Sequence, residues 1–507
     1  MSRVGFLPDE VLKLVMQYVP LGQRLGSCCL VNRGFHAAAV AATGELDLYC
    51  WGVSNPTSAD SLLMWLEHYG QQLTYLRMKS FQPFPRLLQQ LPCPNLQELV
   101  LSDGCSLQLG PAADGTPGVI QGCTKLKRLE LQCNIIDAPA GPVVGDSLSQ
   151  LLQLEHLQVA PALPYNRIPG GYSIRGLHSS TLPCLKHLTY LEVHGLSVDN
   201  LAQLGCLTNL QELHLQAVYG IIVGPSSVPG FVLPSSLTKL ELCSPVEAGL
   251  LSLVPTGLKD FAFTSSVDGD AQAHGYLLSS MARLQSLTRL FLYPKTGLAW
   301  PPDGPVYSSL TASSSLVELN VCNFHEKLPI GIWQHVFPAN RCLLHLTNLE
   351  LQLHEPSGGE PALSGAWGVA DVASFVSCCP NVVEIESLFL QHGPQVSSQL
   401  QQLTALTALE VHYIQSSVSA FHESLKGLVA VTQLQQLRLN GTTSPDETTA
   451  AALLPLTSLT SLTSFSCVCW VVTPEGLTSG DSPELDVGFL QVRVSPEMCS
   501  DFNRIQG

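Results

Sequence analysis

Leucine recurs along this chain in one short phrase, L-x-x-L-x-L, set off by stretches of polar and turn-forming residues. The phrase begins at Leu73, Leu96, Leu126, Leu154, Leu188, Leu210, Leu237, Leu258, Leu287, Leu316, Leu346, Val382, Leu406, Leu434 and Leu462. Fifteen starts over 389 residues give a mean step of about 28, with single steps of 21 to 36. The last two apolar residues of each phrase are two positions apart, which puts them on one side of a short strand and the residues between them on the other. One such strand cannot bury its apolar side alone. Stacked step by step, the strands pair in parallel and their leucines merge into one core, while the rest of each repeat returns along the outside. The pattern predicts an α/β solenoid over 73–480 with a parallel β-sheet on its concave face. Leu46 and Leu48 mark a degenerate earlier unit, so 46–72 reads as a linking strand and helix, and 481–507 as a C-terminal cap or tail. The phrase at Val382 is irregular, with Ser387 in its last apolar slot, and the final one carries Phe465 and Cys467 instead of leucine.

Residues 5–45 have a different texture. Leu7, Val11, Leu12, Val15 and Val19 recur at helical spacing, and Pro8, Asp9 and Glu10 stand where a helix tolerates proline and favours acids. Pro20 ends this helix. Leu25, Cys28, Cys29, Leu30, Val31, Phe35 and Ala38 imply one or two more short helices. A helical unit of about 40 residues buries little by itself and completes its core against a neighbour or a partner.

These residues carry a resemblance. The string F-L-P-D-E-V-L-K-L-V-M-Q-Y-V-P-L-G-Q-R-L-G-S-C-C-L-V-N-R-G-F-H-A-A-A resembles an F-box, the three-helix motif that docks a Skp-type adaptor in cullin-based SCF ubiquitin ligases. Leu7 and Pro8 match its opening Leu-Pro, Leu21 and Leu25 its middle, and Leu30, Val31, Asn32, Arg33 and Phe35 its closing segment. Phe35 stands where the family often has tryptophan. The resemblance implies adaptor contacts from Leu7, Pro8, Val11, Leu12, Val15, Leu21, Leu25, Leu30, Val31, Arg33 and Phe35. The body is similar to leucine-rich repeat proteins, and L-K-R-L-E-L-Q-C-N from Leu126 to Asn134 supplies that family's asparagine, which most other repeats lack at this offset. An F-box followed by such repeats implies a non-catalytic substrate-recognition subunit of an SCF-type ubiquitin ligase, with the adaptor, the cullin core and an unknown target protein as partners. The alternative is a non-ligase scaffold, cytoskeletal or signalling, whose first helices only cap the array.

Composition narrows the classes. Hydrophobic residues make up 45% of the chain and charged residues only 13%, against a usual charged share of about 25%. Lys and Arg number 24 against 40 Asp and Glu, a net charge of −16 without a basic patch, which argues against nucleic-acid or membrane binding. Seventeen cysteines and an N-terminus, MSRVGFLPDE, without an apolar signal core lead us to expect reduced thiols in a soluble cytoplasmic and/or nuclear protein. Cys93, Cys123 and Cys379 precede their repeat start by three residues, and Cys184, Cys206 and Cys342 by four, so both sets are expected as small buried packing residues, not as metal ligands. Segments 104–122, 160–183, 219–234, 294–315 and 354–370, rich in Gly, Pro and Ser, are expected as surface loops. No phosphate-binding, dinucleotide, zinc-protease or nucleophile-elbow motif is present, so no catalytic residue, metal ligand or cofactor is assigned.

The partner face follows from the register. The second and fourth residues after each start form two columns of 30 positions, of which eleven are acidic and five basic. That is about four times the charged share of the whole chain, and the face suits a partner with a basic segment. Glu130, Glu192, His214, Glu241, Arg289, Phe291 and Tyr293 are the expected contacts, the last two as exposed aromatic anchors. His156, His214 and His412 fall beside carboxylates such as Glu192 and Glu241, a pattern for a pH-sensitive cluster.

Overall fold

The structure is a computed structural model of the full chain. It describes residues 9–19, 23, 38–40, 42–50, 64–80, 91–107, 120, 122–135, 148–160, 181–196, 198–217, 222–264, 267–268, 271–293, 304–324, 331–353, 366–390, 394–413, 418–441, 456, 458–471 and 488–494. The chain folds as two compact units, 1–221 with 225–237, and 222–224 with 238–507.

In the first unit β1 (Glu45–Cys50), β2 (Tyr75–Ser80), β3 (Glu98–Leu107), β4 (Arg128–Ile135), β5 (His156–Ala160), β6 (Tyr190–Leu196) and β7 (Glu212–Ala217) pair in parallel, each with the next. Leu46, Leu76, Leu99, Leu129, Leu157, Leu191 and Leu213 form one unbroken row across the seven strands, and all are buried. The row exists because every repeat places its second leucine at the same offset. The strand at Glu45 is a full member of the ladder.

The second unit repeats the scheme with β8 (Lys239–Leu242), β10 (Asp260–Phe263), β12 (Arg289–Leu292), β13 (Glu318–Phe324), β14 (Asn348–Leu353), β15 (Glu384–Leu390), β16 (Ala408–Tyr413), β17 (Gln436–Gly441) and β18 (Ser464–Val471). Two short strands, β9 (Val246–Glu247) and β11 (Val267–Asp268), pair separately. The last strand, β19 (Gly488–Val494), runs antiparallel to β18.

A turn launches each strand. The N–H of the starting leucine donates to the carbonyl three residues back, as in Leu96 to Cys93 (3.1 Å), Leu126 to Cys123 (3.1 Å), Leu154 to Leu151 (3.0 Å) and Leu434 to Val431 (3.2 Å). The side chain at that third-back position points inward, so Cys93, Cys123 and Cys379 are fully buried. One position earlier the side chain leaves the core: Cys184 is half-buried and Cys206 and Cys342 are exposed, which corrects the expectation that both sets pack inside. Side chains also tie repeat to repeat. Thr74, Thr189, Thr288 and Thr463, each just after its start, donate to carbonyls of the preceding repeat at 3.0 to 3.1 Å. Asn95, Asn209 and Asn381, each just before its start, do the same at 2.7 to 2.9 Å. Asparagine thus serves the turn from a position other than that of Asn134.

Three expectations change. The Gly- and Pro-rich segments are not merely surface loops where they are described. Val223 bridges Val246, and Val228, Phe231 and Leu233 are buried. Residues Gly304–Thr311 form a 3-10 helix that buries Tyr307 and Leu310. Trp367 stacks on Trp333 with ring centres 4.9 Å apart and meets Phe337 and Phe375 edge-on or tilted, a buried aromatic cluster. Gly and Pro set the turns in these stretches, while their few large apolar side chains fill the outer layer. Secondly, the irregular phrase at Val382 hides a β-bulge. Ser387 takes φ +60°, the ladder slips by one residue between Ile385 and Leu388, and Leu388 fills the buried slot opposite Val411. Thirdly, the head of the chain has a small apolar cluster of its own among the described residues: helix Asp9–Gln17 buries Leu12 and Met16 against Ala38, Ala39 and Ala42. No described helix is long and apolar enough to cross a membrane.

Candidate functional site

The positions two and four after each start, expected as the partner face, align in two columns across neighbouring strands. In the first unit Tyr75, Glu98, Arg128, His156, Tyr190 and Glu212 align across β2 to β7, and Arg77, Val100, Glu130, Gln158, Glu192 and His214 form the second column. Period-two alternation sends these side chains away from the leucine core.

Strands β4 to β7 bring Glu130, Glu192 and His214 together with three groups outside the expected contact set, His156, Tyr190 and His194. The His156 and Tyr190 rings stack with centres 4.0 Å apart and planes 7° from parallel, and His214 flanks Tyr190 at 5.3 Å. Tyr190 donates its hydroxyl hydrogen to Glu192 at 2.6 Å. His194 Nε2 lies 3.4 Å from Glu192, and His156 Nε2 lies 3.4 Å from Glu130, whose carboxylate also takes a hydrogen bond from Arg128. The His194 and Tyr190 hydrogen bonds outweigh burial and hold the Glu192 carboxyl down to about 2. Glu130 is lowered too, by His156 beside it and by the Arg128 hydrogen bond. Burial, with the Glu192 hydrogen bond, pushes the Tyr190 phenol up, so it stays a neutral donor.

Glu241, Arg289, Phe291 and Tyr293 belong to the second unit. Glu241 accepts from Cys243 at 3.5 Å. Arg289 grips Asp260 with two hydrogen bonds of 2.6 and 3.1 Å, which lowers the Asp260 carboxyl. Phe291, between Ala262 and Asn320 in the ladder, and Tyr293 are half-buried, so the exposed aromatic strand expected there is a partly covered one. The third expected histidine, His412, pairs with Glu410 at 3.0 Å in a network completed by Arg438 and Asn440, not with Glu241. Between these groups, β13 to β16 present Glu318, Glu350, Glu384, Glu386 and Glu410. Burial and neighbouring carboxylates raise Glu318 and Glu386.

Sequence reasoning placed His156 and Tyr190 in the right column but did not set them side by side. It missed His194 because only offsets two and four were read. Offset six faces the same way, as the pairs Glu192 with His194 and Glu410 with His412 show.

The head of the chain offers a second surface. On helix Asp9–Gln17 and its end, Val11, Leu14, Val15 and Tyr18 are 41, 56, 47 and 84% exposed, at helical spacing opposite Leu12 and Met16. Of the expected adaptor contacts, Val11 and Val15 lie on this outer stripe and Leu12 turns inward; Leu7, Pro8, Leu21, Leu25, Leu30, Val31, Arg33 and Phe35 lie outside the described residues.

No protein-family model matches the chain, and no curated protein matches it. Among solved structures it is similar to an internalin of Listeria monocytogenes, at 14% identity over 81% of this chain and 93% of that one, with a TM-score of 0.39. A TLR13 complex with single-stranded RNA aligns at 16% identity over 84% of this chain and 54% of that one, also at 0.39. The leucine-rich repeat domain of APL1B aligns at 11% identity over 81% of this chain and 91% of that one, at 0.33.

Proposed function

We propose that the chain is a protein-recognition subunit whose repeat faces hold a target protein and whose N-terminal helix docks a Skp-type adaptor, making it the substrate receptor of an SCF-type ubiquitin ligase. The observation that carries this reading is the doubly apolar helix Asp9–Gln17. Leu12 and Met16 already satisfy the chain's own core, yet Val11, Leu14, Val15 and Tyr18 keep a second apolar stripe in water. A stripe of this kind on a helix fits an apolar partner surface. The repeat faces supply the other half: ordered, charged strand surfaces suited to a macromolecular target. On this reading the covalent chemistry belongs to enzymes recruited through the adaptor.

The test is capture of a purified Skp-type adaptor by the full chain. Wild type should retain it, and a Val11→Asp, Val15→Asp variant should lose at least about tenfold in affinity while unfolding at the same temperature. Equal binding by the variant, or none by wild type, favours the scaffold reading, in which the helix serves only the array.

A further inference from the structure

Three cysteines lie where the turns before β14 and β15 run side by side. Cys342 stands four residues before Leu346 and Cys378 four before Val382, and the two strands pair with the same offset, Asn348 to Glu384 and Leu349 to Ile385. The turns are joined directly: the Leu343 N–H donates to the Cys378 carbonyl at 2.7 Å. Segments joined by a backbone hydrogen bond run about 5 Å apart, inside the range of about 4.4 to 6.8 Å that a disulfide spans between Cα atoms. Cys342 is exposed, whereas Cys378, the last residue of helix Val369–Cys378, and Cys379 are 0% exposed. We propose that Cys342 and Cys378 are a redox-sensitive staple between neighbouring repeats: oxidised glutathione reacts at Cys342, and Cys378 then displaces it to close a disulfide from one turn to the next.

The division of labour follows from burial and from the donors around Cys378. A bulky disulfide reaches only the exposed thiol, so the first attack belongs to Cys342. The second attack needs a sulfur that is already close and that holds its charge as a thiolate. Cys378 is such a sulfur. The Cys379 thiol donates to it, the Arg341 guanidinium lies near it and the Leu343 N–H faces it, and together they lower the Cys378 thiol against the effect of burial. Arg341 is itself held in place by bonds to the Ser308 carbonyl at 2.6 Å and the Thr311 hydroxyl at 3.1 Å. Cys379 is the opposite case: burial and its bond to Cys378 push its thiol up, so it remains a donor and does not compete as a nucleophile.

The electrons balance without a further oxidant. The Cys342 thiolate attacks one sulfur of oxidised glutathione, the S–S bond breaks, and one glutathione leaves as a thiolate that takes up the proton Cys342 lost. The Cys378 thiolate then attacks Cys342 Sγ, the mixed disulfide breaks, and the second glutathione leaves and takes up the proton from Cys378. Two protein thiols are oxidised and one disulfide is reduced to two thiols. The new bond fastens the turns that launch β14 and β15, the strands that carry Glu350, Glu384 and Glu386. It forms whatever the repeat face binds, and so stands apart from the ligase reading.

The test exposes the folded full chain to oxidised glutathione, blocks the remaining thiols by alkylation and maps the linked peptides by mass spectrometry. Wild type should yield a peptide joining Cys342 to Cys378, lighter than the reduced pair by the two thiol hydrogens and released by dithiothreitol. Cys378→Ser should instead retain one glutathione on Cys342. Cys342→Ser should lose the link and leave Cys378 unmodified while the chain is folded. Hydrogen exchange in the turns before β14 and β15 should slow in oxidised wild type and not in Cys342→Ser. Thermal unfolding shows whether each variant is folded, and the wild-type map, which needs no substitution, carries the test if a serine variant is not. The proposal falls if folded wild type yields no Cys342 to Cys378 peptide, or if Cys378 pairs with Cys379 instead. It falls equally if Cys378→Ser takes up no glutathione at Cys342, or if folded Cys342→Ser takes it up at Cys378.

Discussion

At the scale of single residues, the polar face is where energy is stored against pH. Glu192 has its carboxyl lowered from 4.5 to about 2. A carboxyl held below its unfolded value contributes stability that is fully present above that value and disappears as pH falls through the folded one. The contribution, on the order of 2 to 3 kcal/mol, should therefore fade between about pH 5 and pH 2. Urea unfolding of wild type and Glu192→Gln should differ by about that amount near neutrality and converge at the acid end; a constant gap would show that Glu192 matters through packing and not through its charge. Which residues face outward was readable from offsets alone, because alternation on a strand is a strict rule. Which of them touch was not. Contact between His156 and Tyr190 depends on two side chains 34 positions apart being set level by the register, and on rotamers that no spacing encodes.

At the scale of the element, the turn and the bulge show how far a degenerate phrase can be trusted. The leucine row survives because every start but Val382 donates a hydrogen bond to the third residue back, whether that residue is glycine, cysteine, leucine, proline, serine or valine. Small and large residues alternate in that slot without disturbing the strand. The phrase at Val382 looked weak since Ser387 occupies an apolar slot, but the chain inserts one residue there and Leu388 recovers the position. A serine at φ +60° is strained relative to glycine. Ser387→Gly should be neutral or stabilise by up to about 1 kcal/mol, whereas Ser387→Val should destabilise by about 1 to 2 kcal/mol. Chemical denaturation of the two variants checks this, and a stabilised valine variant would mean that the bulge is not retained. The bulge was illegible in the sequence because an inserted residue and a poor match produce the same string.

At the scale of the whole molecule, the repeats make stability local. Each strand contacts mainly the strands before and after it, so a lesion should be felt by its neighbours and fade along the stack. Leu191 lies in the buried row of β6 between Leu157 and Leu213. Leu191→Ala should cost about 2 to 5 kcal/mol. Hydrogen exchange should speed up in β5 to β7 while β12 to β17 keep their protection; uniform acceleration would mean that the chain opens as one cooperative body. The repeat architecture was the most legible feature of all, since a core built of fifteen similar phrases announces itself fifteen times. The division into two compact units was not, because the step lengths on either side of Leu237 lie within the range of the others.

The outer stripe of the first helix also bears on how the protein behaves in the test tube. Val11, Leu14, Val15 and Tyr18 form a sticky apolar ridge along the outer side of that helix. Purified alone, the protein should drift toward concentration-dependent self-association through that ridge, visible as a rising sedimentation coefficient. On the proposed ligase reading, co-production with a Skp-type adaptor should raise the yield of monodisperse material, and the Val11→Asp, Val15→Asp variant should need no such companion. Poor yield of the isolated chain would then reflect an unshielded contact and not a failure to fold.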